Sequence, residues 1–293
     1  MRTQTVLKLA CAGAVLCLQI AGAQETGTGS APAAAAAPKG RGPAVRPPDP
    51  RVQQRTYHFA DTNEDLPYGL FVSSKVSKEH KNPLIVALHG LGGNHNSLLR
   101  GNAIDLAEEG GYILVGPMGY NPRGWYGTPV GQPRPGRAPR KADPAAANDP
   151  PNLRELSEKD VLNVLEIMRK EFNVDDRRTY LMGHSMGGAG ALYLGVKYAS
   201  NWAAIAAIAP AAFAMQANAI PMLTPIKDTM PVIITQGDAD TAVPVDNTRH
   251  WAEAMKELKM NYQYVEMPGE DHGSIIAKGM PDIFAFFRAH PKR

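Results

Sequence analysis

The chain has 293 residues, of which 44% are hydrophobic and 20% are charged, and its formal net charge at pH 7 is +3. This composition supplies enough apolar side chains for a buried core, which excludes a wholly disordered protein. The small net charge argues against a dedicated nucleic-acid-binding protein, because such a protein carries a concentrated basic face.

The N-terminus has the pattern of a secretory signal peptide. Basic residues precede an apolar run over residues 9–20, and small residues at 21–23 form a cleavage site. The run is shorter than the roughly 20 apolar residues of a membrane-spanning helix, so residues 1–23 are predicted to be a cleaved signal. We therefore expect a secreted or periplasmic protein with no stable membrane anchor. Cleavage would also remove both cysteines, Cys11 and Cys17.

The next segment, residues 24–50, is dominated by Ala, Gly and Pro and has no apolar periodicity. Such a segment cannot bury enough apolar surface to offset its ordering entropy, so it is predicted to be a disordered linker. The folded domain is predicted to span residues 51–293. A Pro- and Arg-rich loop interrupts it at about residues 119–153.

Within the domain, predicted strands alternate with predicted helices. The predicted strands are 55–60, 70–73, 84–88, 112–115, 179–182, 203–208, 232–235 and 262–267. The predicted helices are 96–109, 157–172, an Ala/Leu-rich helix after the motif at 183–188, 246–258 and 275–289. Ser157 and Asp160 fit a variant of the capping box at the start of the second helix. Alternation of this kind predicts an α/β protein with a mostly parallel central sheet of about eight strands flanked by helices. Functional groups are then expected at the carboxyl ends of the strands.

The candidate nucleophile is Ser185, in the sequence Gly183-His184-Ser185-Met186-Gly187 between a predicted strand and a predicted helix. This G-x-S-x-G pattern is typical of a strained strand-to-helix turn that exposes a serine hydroxyl. His184 next to the serine is expected either to contact substrate or to pack under the turn.

The candidate oxyanion donors are backbone N–H groups. A glycine-rich loop, His89-Gly90-Leu91-Gly92-Gly93, follows the strand at 84–88, and its glycines let the chain approach a reacting centre. We assign the two donors to Leu91 and Met186. His89 is expected to hold the loop through a hydrogen bond of its ring.

A serine nucleophile needs a base and a group that orients the base. His272 follows the strand at 262–267 and is the candidate general base. Asp240, in the loop after the strand at 232–235, is the candidate orienting carboxylate, with Asp238 as its rival. The chain order Ser, Asp, His is the order found in α/β-hydrolases.

Candidate substrate residues are less sharply defined. Trp125 and Tyr126 lie in the long loop, where they either form an aromatic wall for substrate or anchor the loop to the core. No cluster of residues has zinc-ligand spacing and no phosphate-binding loop is present, so no metal and no cofactor are predicted. The sequence gives no indication of the oligomeric state.

Four motifs together resemble the α/β-hydrolase superfamily: GHSMGG at 183–188, HGLGG at 89–93, GDADTAVP at 237–244 and GEDHG at 269–273. Within it, the chain is similar to the secreted feruloyl esterase and polyhydroxybutyrate depolymerase group, also described as prolyl-oligopeptidase-like esterases. The resemblance implies a serine carboxylesterase acting through Ser185, His272 and Asp240 on a small-molecule or polymeric ester, with hydroxycinnamoyl and polyester-type substrates as candidates. The alternatives are an acyltransferase or peptidase that uses the same triad, and a non-catalytic surface-binding homologue.

Overall fold

The computed structural model describes residues 47–129 and 144–292. The predicted signal peptide, most of the predicted linker and the middle of the loop at 119–153 lie outside these residues. The described residues belong to one compact unit, Arg46–Arg293. Its regular structure begins with a strand at Gln53, close to the predicted start of the domain at residue 51.

An eight-stranded sheet forms the centre of this unit. Its strands are β1 Gln53–Phe59, β2 Glu64–Val72, β3 Asn82–Leu88, β4 Ile113–Pro117, β5 Val174–His184, β6 Ala204–Ile208, β7 Val232–Gly237 and β8 Tyr262–Met267. The spatial order is β1-β2-β4-β3-β5-β6-β7-β8. The two pairs that include β2 are antiparallel, and every pair from β4 to β8 is parallel. The predicted mostly parallel sheet of about eight strands is confirmed.

Six α-helices accompany the sheet in the described residues. They are α1 Asn102–Gly110, α2 Leu153–Glu171, α3 Met186–Lys197, α4 Ala219–Leu223, α5 Val245–Glu257 and α6 Ser274–Ala289. Short 3₁₀ turns include Trp125–Gly127 and Pro144–Asn148 in the long loop. In this part of the chain, no helix combines the length and apolar character needed to cross a membrane.

The core forms two layers, one on each face of the sheet. Along β3, Leu84 and Val86 belong to the layer under α2, α3 and α5, whereas Ile85 and Ala87 belong to the layer under α1 and α6. This alternation follows from the two-residue period of a strand, whose successive side chains point to opposite faces. It explains why the strand reads as an unbroken apolar run: helices cover both of its faces.

Two helices begin at other positions than the sequence predicts. Helix α1 begins at Asn102 rather than at residue 96, because Gly101 before it has φ 56° and ψ −137°, a conformation outside the helical region. Helix α2 begins at Leu153, four residues before Ser157. Ser157 and Asp160 therefore lie inside α2 and are completely buried, so the predicted capping box is wrong.

Candidate active site

Ser185 occupies the sharp turn between β5 and α3, at φ 55° and ψ −113°. A non-glycine residue in such a sparsely populated region costs on the order of 1–3 kcal/mol, so its surroundings must hold it there. They do so through the backbone. The Ser185 N–H donates to the carbonyl of Ile208 at 2.9 Å, and the Ser185 carbonyl accepts from the N–H groups of Ala189 and Ala211 at 3.0 and 2.9 Å.

The turn requires glycine where α3 passes the end of β3. A Cβ atom on Gly187 would lie 2.1 Å from the backbone oxygen of Leu88 and 2.7 Å from that of His89. On the other side of the turn, a Cβ atom on Gly90 would lie 3.3 Å from the Cβ atom of Ser185. The glycine-rich loop therefore lies directly against the candidate nucleophile.

The candidate base and acid meet Ser185 in a continuous chain. His272 Nε2 lies 2.9 Å from Ser185 Oγ, and His272 Nδ1 lies 2.6 Å from Asp240 Oδ2. The Asp240 side chain is fully buried, whereas that of His272 is 26% exposed. The three residues come from the ends of β5 and β7 and from the loop after β8, which all meet at one edge of the sheet.

Asp240 is held by further hydrogen bonds. Its Oδ1 accepts the N–H groups of Ala242 and Val243, both at 2.8 Å, and its Oδ2 also accepts from Gln236 Nε2 at 3.2 Å. The rival, Asp238, is exposed and accepts the N–H of Gly269 at 2.6 Å. Of the two carboxylates, Asp240 is the one that the structure brings to His272.

The N–H groups of Leu91 and Met186 are available at this site. In the described part of the chain, neither donates to a backbone carbonyl, whereas the N–H of Gly92 donates to Pro122 and that of Gly93 to Gly90, both at 2.9 Å. Met186 is also the first residue of α3, where the helix dipole favours negative charge. These two N–H groups can stabilise an oxyanion formed beside Ser185.

Comparison with known proteins connects this geometry to a family. Residues 62–273 match the model of the Esterase family, whose description is "Putative esterase". The chain belongs to the esterase family. This membership, together with the fold, identifies a carboxylic-ester hydrolase of the serine-hydrolase type. The search among curated proteins found no match.

Solved structures share the fold of this esterase at low sequence identity. A thermostable esterase is 22% identical with a TM-score of 0.59, and the match covers 83% of this chain but 64% of that protein, just under two thirds of its length. The ferulic acid esterase AmCE1/Fae1A from Anaeromyces mucronatus is 20% identical with a TM-score of 0.59, covering 85% of this chain and 94% of that one. An S-formylglutathione hydrolase from Agrobacterium tumefaciens is 16% identical with a TM-score of 0.58, covering 82% and 96%. These structures confirm the α/β-hydrolase fold.

His184 packs against the loop of the candidate base. Its Nε2 lies 2.8 Å from the backbone oxygen of His272, and the two imidazole rings are 4.6 Å apart. Burial lowers the pKa of His184 to about 4, so the ring is neutral near neutral pH and can donate Nε2–H to that oxygen. Of the two roles left open by the sequence, the structure favours packing under the turn.

The two aromatic residues of the long loop differ in exposure. Tyr126 is completely buried, and its hydroxyl donates to the carbonyl of His89 at 3.2 Å. It has no surface to offer a substrate, so its suggested role in an aromatic wall is corrected to that of an anchor. Trp125 is half-buried, with the guanidinium of Arg154 5.9 Å from the centre of its ring.

Sequence reasoning missed the buried residues that hold Asp240 and the loop after β4 in place. Gln236 contacts Asp240, while Ser157 and Asp160 bind the loop that follows β4. The available signal was the acidic residue Asp160 beside the apolar stripe of α2, and the sequence pattern assigned this residue to a helix cap. The described residues contain no group of three His, Cys, Asp or Glu side chains arranged to hold a metal ion.

Proposed function

We propose that the protein hydrolyses carboxylic esters through an acyl-enzyme, with Ser185 as nucleophile, His272 as general base and Asp240 as the residue that orients the base. The observation that carries this proposal is the unbroken series of contacts from Ser185 Oγ through the His272 ring to the buried Asp240 carboxylate. An unassisted serine hydroxyl is a weak nucleophile near neutral pH, and this arrangement supplies the assistance that it needs.

The reaction follows from the positions of the atoms. Ser185 Oγ attacks the ester carbonyl carbon while His272 Nε2 takes its proton, and Asp240 holds the Nδ1–H tautomer and stabilises the imidazolium. The tetrahedral intermediate collapses when the C–O bond to the alcohol breaks and His272 returns the proton to that oxygen. Water then attacks the acyl-enzyme by the same route and releases the acid and free Ser185.

The negative oxygen of both tetrahedral intermediates is assigned to the N–H groups of Leu91 and Met186. These donors are in place before substrate binds, because Met186 begins α3 and the loop that carries Leu91 is held by the N–H groups of Gly92 and Gly93. Preorganised donors of this kind contribute on the order of 10²–10³ in kcat each.

The proposed substrates are hydroxycinnamoyl or polyester-type esters. Ferulic acid esterases among the structural neighbours support the first class. An apolar cavity of about 240 Å³ beside Tyr193, Met215 and Met222 also supports an aryl or short acyl group. The chain that lines it at Ala214 and Met215 passes the nucleophile just before, where Ala211 donates its N–H to the Ser185 carbonyl. The cavity is our candidate acyl site.

The protein is also proposed to act outside the cytoplasm. The basic start, apolar run and small-residue cleavage pattern of residues 1–23 support export.

Fluorophosphonate labelling of the wild type and of Ser185→Ala, alongside turnover of p-nitrophenyl esters and methyl hydroxycinnamates, tests the proposal. We expect labelling and turnover in the wild type and the loss of both in folded Ser185→Ala, because the variant lacks the hydroxyl that His272 Nε2 contacts. Ser74→Ala is the matched control, since this exposed serine binds Glu108 on α1 and should keep full labelling.

The same assay separates the alternatives. Turnover that survives in Ser185→Ala would refute the nucleophile assignment. Transfer of the acyl group to an added alcohol faster than to water would identify an acyltransferase, and cleavage of the matching anilide would identify a peptidase. Wild-type protein that neither labels nor turns over any ester would favour the non-catalytic homologue.

A further inference from the structure

A buried carboxylate lies outside the proposed triad. Asp160, in α2, has no exposed surface, and in the described part of the chain its hydrogen-bond partners are all neutral groups. Its Oδ1 accepts the hydroxyl of Tyr57 at 2.6 Å, and its Oδ2 accepts the N–H groups of Gly119 and Tyr120 at 2.6 and 3.2 Å. Burying an ionisable group without a cation is costly, which suggests that the charge has a use.

One peptide group connects Asp160 to the glycine-rich loop. The N–H of Gly119, which donates to Asp160, belongs to the same peptide group as the carbonyl of Met118. That carbonyl lies 2.7 Å from Nε2 of His89, the first residue of the loop at 89–93. His89 Nδ1 lies 2.8 Å from the Gly90 carbonyl, and a neutral ring can donate from only one of its two nitrogens. Hydrogen bonds in series polarise one another, so the carboxylate strengthens the Met118 carbonyl as an acceptor and favours the tautomer with the proton on Nε2.

Residues 118–126, which we call the bracing segment, contact the loop at two more places. The N–H of Gly92 donates to the carbonyl of Pro122 at 2.9 Å, and the hydroxyl of Tyr126 donates to the carbonyl of His89 at 3.2 Å. Tyr126 is itself fixed by α2, because its N–H donates to Ser157 Oγ at 3.0 Å. Helix α2 thus holds the bracing segment, and the bracing segment holds the loop.

We propose that Asp160 is a positioning residue for the oxyanion donor Leu91, acting through the bracing segment and His89. The inference rests on the proposed function of the loop. Leu91 follows Gly90, where a Cβ atom would lie 3.3 Å from that of Ser185, so a small shift of the loop moves the Leu91 N–H relative to the reacting carbonyl. A misplacement of about 1 Å can cost on the order of 10²-fold in rate.

Three variants test the role, each assayed for kcat and KM per active site counted by end-point fluorophosphonate titration. Asp160→Ala removes every contact of the carboxylate, and we expect kcat to fall on the order of 10²-fold with KM changed by less than about threefold. Asp160→Asn can keep its oxygen towards Gly119 and Tyr120 while the Tyr57 hydroxyl turns to accept from its amide. It should therefore recover part of the lost kcat.

Tyr57→Phe is the matched control. It removes a hydrogen bond from the same carboxylate but leaves both contacts with the bracing segment, so kcat should stay within about twofold of wild type. Loss of kcat in the Asp160 variants but not in Tyr57→Phe is the result expected of a positioning residue.

Two results would overturn the proposal. One is an unchanged kcat in folded Asp160→Ala, or in Asp160→Asn if the alanine variant does not fold. The other is an equal loss in Tyr57→Phe, which would mean that the carboxylate merely stabilises the core. An inactive, unlabelled wild type would instead refute the proposed function, and the positioning role with it.

Discussion

Replacing Asp240 by Asn should disable the base by reversing its tautomer. Asp240 Oδ1 accepts two backbone N–H groups, those of Ala242 and Val243, at 2.8 Å. In the variant, the amide oxygen is needed at that position, which leaves the NH₂ group facing His272 Nδ1, where Oδ2 stood. Nδ1 would then become an acceptor, the ring proton would move to Nε2, and Nε2 could no longer take a proton from Ser185.

The expected loss is large. Removing the charge of the orienting acid in a serine triad lowers kcat on the order of 10⁴-fold. That factor corresponds to about 5.5 kcal/mol of activation free energy. The NH₂ group would also face the Nε2 donor of Gln236, 3.2 Å away, so a small loss of stability should accompany the loss of activity.

Steady-state kinetics on a p-nitrophenyl ester, with the folded fraction checked by circular dichroism, measure the effect. Asp238→Asn is the matched control, because its amide oxygen can still accept the N–H of Gly269. We expect kcat of that variant to stay within about threefold of wild type, since an exposed side chain loses little when one acceptor replaces another. A kcat of Asp240→Asn within about tenfold of wild type, or a larger loss in Asp238→Asn, would refute the reasoning.

Two further predictions concern stability. Gly187→Ala should lower the free energy of unfolding by about 1–3 kcal/mol in urea titrations, because its Cβ atom would lie 2.1 Å from the backbone oxygen of Leu88. An unchanged urea midpoint would contradict this close approach. Burial raises the pKa of Asp160 to about 6 from 3.8, so between these pH values the folded state binds more protons than the unfolded state. The contribution of Asp160 to the free energy of unfolding therefore falls by about 3 kcal/mol as the pH rises from about 4 to 6. The lowered pKa of His184 acts in the opposite sense, because it causes stability to be lost as the pH falls below about 6.5. The effect of Asp160 is therefore measured as the difference in free energy of unfolding between wild type and Asp160→Asn, at pH 4 and at pH 8. A difference that does not change with pH would contradict it.

The features that local sequence predicts well are those with local causes. The apolar run at 84–88 indicates a strand because helices cover both of its faces, and this is visible without knowing which helices they are. The turn at Ser185 is likewise recognisable locally, since a Cβ atom on Gly183 would lie 2.0 Å from the backbone oxygen of Gly187 within the same strand–turn–helix unit. Contacts between distant residues leave no such pattern. Asp160 binds Tyr57 and Gly119, so its environment becomes visible only when the sheet and α2 are assembled.

The same distinction separates the two candidate acids. Asp238 and Asp240 lie two residues apart in one loop, and sequence alone favours the second only by its place in the loop. In the structure, Asp240 is turned inwards by the N–H groups of Ala242 and Val243, while Asp238 points outwards to Gly269. The turn buries only one of the two carboxylates next to His272. Which one it buries depends on the path of the loop after β8, and that path is not visible in the local sequence.

Asp160 shows why stability and activity should move in opposite directions at this site. At neutral pH, a carboxylate with a raised pKa makes the folded state less stable than a neutral side chain of the same shape would. Asp160→Asn is therefore expected to unfold at a higher temperature than wild type at pH 8 and yet to turn over more slowly, because it loses the charge that polarises the Met118–Gly119 peptide. The gain in stability follows from the raised pKa alone and would occur even if Asp160 only packed in the core. The accompanying fall in kcat is therefore the result that distinguishes a braced oxyanion loop from simple packing.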